Sequence, residues 1–191
     1  NIVADQTGQA TASVRYDYAV RVEGPILADI CGAAQRLWLL VRWSHLRRRP
    51  RRQAPLPACT AEAGEQAAAF LVRDTLRHRE DIERAYLAAI AGARREILIA
   101  NAYFLPGRRF RKALAEAARR GVRVVLLLQG RSDHPLMRWA AHALYGHFLA
   151  QGIEVHEYQC SEMHAKVAVI DDDWATVGSS NIDPFSLLLA R

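Results

Sequence analysis

The sequence predicts an α/β fold, a layered sandwich with a mostly parallel central sheet flanked by helices. Three observations point to it. From about residue 66 onward, short apolar runs alternate with longer amphipathic stretches, the order that builds parallel sheets with crossover helices. Turn signals such as Pro106-Gly107, Gly130 and Asp171-Asp172-Asp173 stand between them. The chain has 191 residues with 51% hydrophobic content, enough to bury a sizeable core.

The elements follow in order. A loose stretch rich in Gln, Thr, Gly, Ser and Ala opens the chain. Tyr16 to Val22 alternates as a strand should, and Glu23-Gly24-Pro25 turns it. Pro25 suits the first turn of a helix, and Ile26, Leu27, Ile30, Ala33, Ala34, Leu37, Trp38 and Val41 mark an amphipathic one. Residues 47–65 hold Arg47, Arg48, Arg49, Arg51 and Arg52 with Pro50, Pro55 and Pro57. Charge repulsion and prolines make this a linker between a first region, 1–46, and a second, 66–191. The second region reads as strand 67–72, helix 79–94, strand 96–102, helix 107–120, strand 122–129, helix 134–151 and strand 153–158. A hairpin of His164–Ile170 and Trp174–Val177 follows. No internal repeat is visible.

Charge and cysteine usage narrow the chemistry. There are 26 Lys plus Arg against 20 Asp plus Glu, a net charge of +6, which favours anionic partners such as lipid headgroups, nucleic acid or phosphorylated substrates. Cys31, Cys59 and Cys160 show no C-x-x-C spacing, which argues against a disulfide framework and a zinc site and for a reducing compartment.

One motif dominates: His164, Lys166, Asp171, Gly178, Ser179 and Asn181, spaced H-x-K-x4-D-x6-G-S-x-N. Six identities at fixed spacing rarely arise by chance, and the residue types are those needed to attack a phosphodiester. An imidazole is a nucleophile toward phosphorus. Lys166, Ser179 and Asn181 can bind the non-bridging oxygens whose charge changes during transfer. On a strand, His164 and Lys166 share a face, and the hairpin returns Ser179 and Asn181 beside them. Asp171 is assigned as the residue that orients the imidazole, although a turn aspartate can instead cap the backbone.

Two loops at strand ends are further candidates, because ligands sit beyond the carboxyl ends of strands in open α/β sheets. Asn101 to Gly107 offers Asn101 as a phosphate ligand and Tyr103 as a pocket wall, or is a plain strand-to-helix turn. Gln129 to Pro135 offers Arg131 and His134, residue types more often solvated or capping. The segment Arg36–Arg52 combines Trp38 and Trp43 with seven arginines. Its apolar run is too short and interrupted to span a bilayer. The mixture fits interfacial binding to anionic lipid, nucleic-acid phosphates, or a packed helix followed by a solvated linker.

The six-residue motif resembles the signature of the phospholipase D superfamily. Asp17-Tyr-Ala-Val-Arg-Val-Glu-Gly-Pro-Ile26, Ile99-Ala-Asn-Ala-Tyr-Phe104 and Trp174 through Pro184 are similar to segments of bacterial cardiolipin synthases of the B type. The resemblance implies a phospholipase D-like sandwich carrying the second of two motifs. The first motif is then expected in an N-terminal half preceding Asn1, with 1–46 as the end of that half and 66–191 as a second half truncated at its C-terminus. It implies a phosphatidyltransferase that makes cardiolipin from phosphatidylglycerol through a phosphohistidine, without metal or other cofactor. One imidazole attacks and the other protonates the leaving alcohol. The expected partner is anionic phospholipid, not nucleic acid, at the cytoplasmic face of the bacterial cell membrane, bound peripherally. Trp38, Trp43 and Arg47, Arg48, Arg49, Arg51 and Arg52 would be its surface contacts. A phospholipase D-type hydrolase or nuclease, with water as acceptor, is the alternative. The 191 residues alone, with only one of the two motif imidazoles, are expected to be inactive.

Overall fold

In the computed structural model, five strands form one sheet: β1 (Glu96–Asn101), β2 (Arg123–Gln129), β3 (Glu154–Tyr158), β4 (Lys166–Ile170) and β5 (Trp174–Val177), ordered β3-β2-β1-β4-β5. β1, β2 and β3 run parallel, while β4 pairs antiparallel with both β1 and β5. The sheet is therefore mixed, parallel in the alternating βα part and antiparallel where the motif hairpin joins. The described residues also hold four helices: α1 (Ile26–Ser44), α2 (Asp81–Gly92), α3 (Arg108–Arg119) and α4 (Pro135–Leu149). The structure describes residues 15–44, 63–73, 78, 80–131 and 135–183. They divide into two units, Asn1–Ala19 with Arg73–Arg191 and Val20–Val72.

The core lies on one face of the sheet. Ile97 and Ile99 stand in register with Val124 and Leu126 on β2 and with Ile170 and Ala168 on β4, and all six are buried. Residues in register share a face, so this periodicity of two gives the helices a continuous apolar floor. α3 lays Phe110, Leu114 and Ala117 on it, α2 adds Tyr86 and Ile90, and α4 adds Phe148. Their rings interlock, with centroids 5.5 Å apart for Tyr86 and Phe110 and 5.8 Å for Phe104 and Phe148. Each fully buried side chain of this size contributes roughly 1.5–3 kcal/mol.

The helix ends explain why the alternation is so regular. Gly121 and Gly152 stop α3 and α4 with φ of 87° and 76°, the left-handed conformation that glycine adopts without steric cost. Each turn is closed by a pair of backbone bonds, Val122 N to Ala117 O with Gly121 N to Ala118 O, and Ile153 N to Phe148 O with Gly152 N to Leu149 O. Val122 and Ile153, the residues after these glycines, are buried, so the chain re-enters the core as it starts the next strand.

Two expected strands do not form. Residues 67–72 contain no strand, and Phe70, Leu71 and Val72 are exposed. Tyr16–Val22 reduces to a single parallel bridge between Tyr16 and Met163. β-structure exists only as a ladder between strands. Among its described residues, the unit Val20–Val72 holds one helix and no strand to pair with. The motif strand is also shorter than expected, beginning at Lys166 and not at His164.

Candidate active site

The site is assembled where β4 begins. His164 N donates to Tyr16 O at 2.7 Å, and Tyr16 N donates to Glu162 O at 2.7 Å. The short segment around Tyr16 therefore lies along the approach to β4 as a one-rung strand. It is pinned on two sides by its ring, which stacks on Tyr158 at 5.2 Å and meets Tyr18 edge-on at 5.4 Å. The next residue, Asp17, is thereby brought to His164: its Oδ2 lies 3.1 Å from His164 Nδ1. A carboxylate can only accept, so the proton of this bond sits on Nδ1, and in the neutral ring Nε2 then carries the lone pair.

Asp17 also accepts Tyr18 N at 2.9 Å. Partial burial pushes its carboxyl up, but the His164 hydrogen bond, the Tyr18 N–H and the nearby His164 and Lys166 charges outweigh it and hold the group below the usual carboxylate range. The pair is about half exposed, at 43% for His164 and 46% for Asp17, so a substrate can reach the imidazole.

Lys166 is the counterpart inside the protein, only 5% exposed. Its Nζ donates to His164 O at 2.6 Å. Burial lowers its pKa, the Asp17 charge opposes this, and the Arg15 charge adds to it. Asn101, the last residue of β1, stands opposite Lys166 in register. It is fully buried, its Oδ1 accepts Ile182 N at 3.3 Å, and its Nδ2 has no partner. After β5, Gly178 N bonds Lys166 O at 3.1 Å, so the hairpin returns Gly178 to the level of Lys166 and Ser179 one position further toward His164. Ser179 is exposed, and the buried Oδ1 of Asn181 also lacks a partner. Two buried side-chain atoms without a partner, Asn101 Nδ2 and Asn181 Oδ1, thus lie on the segments beside the start of β4.

Asp171 is not among these groups. It lies at the opposite end of β4, roughly 20 Å of strand from His164 at about 3.3 Å per residue. Its carboxylate accepts the backbone N–H of Arg94 at 2.6 Å and those of Arg95 and Glu96 at 2.8 Å. These bonds, with that from Glu96 the strongest, hold its pKa low. Asp171 and Asp172 have φ of 54° and 63°, a conformation that aspartate tolerates better than most residues. The orienting role expected for Asp171 is therefore corrected: it clamps the start of β1 to the hairpin, and the carboxylate that meets the imidazole is that of Asp17.

Sequence reasoning gave Asp17 no role. The only local trace is its place in the alternating Tyr16–Val22 run, and 147 positions separate it from His164. In the sequence Gln129 reads only as part of a loop. It is buried and its Oε1 accepts Met163 N at 2.9 Å, which fixes the chain just before His164. Of the two strand-end loops, Tyr103 is half-buried and Arg131 exposed, while His134 lies outside the described residues. On α1, Trp38 and Trp43 are exposed; Arg47, Arg48, Arg49, Arg51 and Arg52 also lie outside the described residues. Among the described residues, no group of three or more His, Cys, Asp or Glu could hold a metal ion.

Residues 86–191 match the family model described as "Cardiolipin synthase, PLD-like domain". The chain is 43% identical over 199 aligned residues to cardiolipin synthase B of Escherichia coli (strain K12), covering 99% of this chain and 45% of that protein. It is 27% identical to cardiolipin synthase 1 of Staphylococcus epidermidis, covering 96% of this chain and 37% of that protein. Among solved structures, NucT from Helicobacter pylori aligns with a TM-score of 0.47 at 21% identity, over 59% of this chain and 74% of that one. The chain thus spans less than half the length of the curated relatives it matches.

Proposed function

Because the chain belongs to the phospholipase D-like family that contains the cardiolipin synthases, we propose that it supplies one of the two imidazoles of a phosphatidyltransferase that makes cardiolipin from phosphatidylglycerol. The observation that carries the reading is the His164–Asp17 pair at 3.1 Å with buried Lys166 directly behind it. With its proton held at Nδ1, His164 presents the Nε2 lone pair toward solvent. That atom attacks phosphorus if His164 is the nucleophile. Once protonated, it donates to the leaving glycerol oxygen if His164 is the general acid. In the first case the N–P bond forms as the P–O bond to glycerol breaks, and the second imidazole supplies the proton. Another phosphatidylglycerol hydroxyl then attacks the phosphohistidine, giving up its proton to that imidazole and freeing Nε2.

Lys166 and the amides of Asn101 and Asn181 offer positive charge and hydrogen-bond donors for the phosphoryl oxygens, with Ser179 at the rim. Donors already fixed by the fold need no reorganisation as the charge shifts. The second imidazole is assigned to a second motif in a preceding half of the parent protein, which agrees with the 45% coverage of the relative. The region 1–46 then completes that half, and 66–191 forms most of the half carrying His164. A substrate that resides in the bilayer supports a membrane location, which this reading assigns to a peripheral position at the cytoplasmic face.

The test is direct. Transfer from phosphatidylglycerol is measured for the parent protein, its His164→Ala variant and the 191-residue chain alone. The reading expects cardiolipin from the first and none from the other two. Near-normal turnover of the His164→Ala variant overturns the assignment. Phosphatidic acid as the sole product reassigns the chemistry to hydrolysis.

A further inference from the structure

A groove on the site's own side of the sheet is left unused by phosphoryl transfer. Lys166, Asn101, Leu128 and Glu157 stand in register across β4, β1, β2 and β3. Residues in register share a face, so this row runs from the site across the sheet. Strands lie about 4.8 Å apart, which puts Leu128 ~10 Å from Lys166. A groove of about 280 Å³, its open mouth included, lies over Leu128 and is walled by Arg138, His142 and Tyr145 of α4. Ala102 and Gln129 also line it. The same two residues hold the chain around His164, through Ala102 N to Ala165 O and Met163 N to Gln129 Oε1, each 2.9 Å. The groove is therefore joined to the site by the backbone that carries the imidazole.

Its polar groups are hydrogen-bond acceptors beside a cation. Glu157 Oε1 accepts Tyr145 OH at 3.1 Å and His142 Nε2 at 2.6 Å, and its Oε2 accepts Gln159 Nε2 at 2.9 Å. A carboxylate only accepts, so the proton of the histidine bond sits on Nε2, and in the neutral ring Nδ1 then carries a lone pair. The phenol oxygen of Tyr145, its proton committed to Glu157, is likewise an acceptor. The two rings stack at 4.7 Å, which fixes both. Arg138, one turn before His142, is exposed, and α4 has no acidic residue. Acceptors of this kind suit a hydroxyl group, and an exposed guanidinium suits a phosphodiester. The volume falls below the roughly 300–1,000 Å³ of sites that enclose a whole small ligand, so there is room for a headgroup and not for acyl chains. An apolar ligand would leave these polar groups with neither water nor a partner.

We infer that this groove seats the glycerol headgroup of the acceptor lipid, with its secondary hydroxyl on His142 Nδ1 and Tyr145 and its phosphodiester on Arg138. The span from Lys166 is one that a glycerol with its phosphodiester covers together with the arginine side chain. The inference rests on the transfer reading above and adds what tells an acceptor from a leaving group. The glycerol that leaves and the glycerol that attacks both pass the imidazole, but only the acceptor brings a second phosphodiester, the group that Arg138 meets.

The parent protein is given labelled glycerol beside phosphatidylglycerol. Two products then report on one phosphohistidine. Cardiolipin needs the acceptor's phosphodiester, whereas labelled phosphatidylglycerol forms when a free glycerol hydroxyl attacks the same intermediate. Arg138→Gln should lower the ratio of cardiolipin to labelled phosphatidylglycerol about tenfold, equivalent to about 1.4 kcal/mol, the scale of an ion-paired hydrogen bond open to solvent. An unchanged ratio overturns the inference, also where both products fall together. His164→Ala keeps the two readings apart, since it should remove both products and leave the groove intact. If the native enzyme forms neither product, the transfer reading fails and binding decides. The 191-residue chain is then titrated with glycerophosphoglycerol, the deacylated headgroup, and followed by NMR at the His142 and Tyr145 rings. Binding that Arg138→Gln weakens about tenfold supports the groove. No shift at those rings, or equal shifts with inorganic phosphate, overturns it.

Discussion

Replacing Asp17 with Asn separates orientation of the imidazole from the chemistry proposed for it. The substitution keeps the size and one acceptor oxygen, removes the charge, and lets the amide present its NH2 to His164 Nδ1. A sheltered hydrogen bond to a charged group is worth about 1.5–3 kcal/mol. Both partners here are nearly half exposed, and solvent screening reduces that to about 1–1.5 kcal/mol. At about 1.4 kcal/mol per decade of rate, kcat should fall about tenfold, with KM little changed because Asp17 faces the imidazole and not the phosphate. The assay is initial-rate transfer from phosphatidylglycerol by the parent protein.

A matching measurement on the 191-residue chain follows the Asp17 carboxyl by carbon NMR. Its pKa should lie below the ordinary value and move up in His164→Ala, since the His164 bond is the largest influence lowering it. The folded-state pKa is depressed, so the contribution of the pair to stability is full above the unfolded aspartate value of about 3.9 and is lost as pH falls through the lower folded value. Turnover of Asp17→Asn within about twofold of the native enzyme, below what a lost ion-paired hydrogen bond costs, would refute the orienting role.

Lys166→Ala should lose nearly all transfer activity, and Lys166→Arg should not restore it. The buried Nζ reaches the His164 carbonyl as a point donor, a geometry that a planar guanidinium does not reproduce; steady-state rates of both variants check this. Asp171→Asn should lower the thermal midpoint while leaving turnover of the folded enzyme intact, since its contacts are with the start of β1. Its folded pKa is likewise depressed. The stability gap between native chain and variant should therefore be widest above about pH 4 and close as pH falls through the folded value, as read by denaturant unfolding across pH. Phe110→Ala removes a fully buried ring between Tyr86 and Phe104 and should cost about 3–5 kcal/mol of unfolding free energy.

Much of this protein is local. Alternating burial in β1 and β2, the glycine stops after α3 and α4 and the six-residue motif are each written in contiguous residues, because helix and turn chemistry acts over a few positions and a strand's faces follow from its pleat. From them the sequence by itself determined the α/β order, the hairpin that brings Ser179 back toward His164, and the imidazole proposed to carry the chemistry. What only the tertiary structure decided is which groups meet across long stretches of chain. Tyr16–Val22 has a strand's pattern but a single rung, and 67–72 has a strand's composition but no ladder, since a strand is completed by a partner that its own residues do not specify. Asp171 and Asp17 are both aspartates that could orient a histidine. The six residues between His164 and Asp171, five of them in β4, run extended and hold the two apart. The 147 positions between Asp17 and His164 are folded back by one parallel rung, which sets the carboxylate against the imidazole.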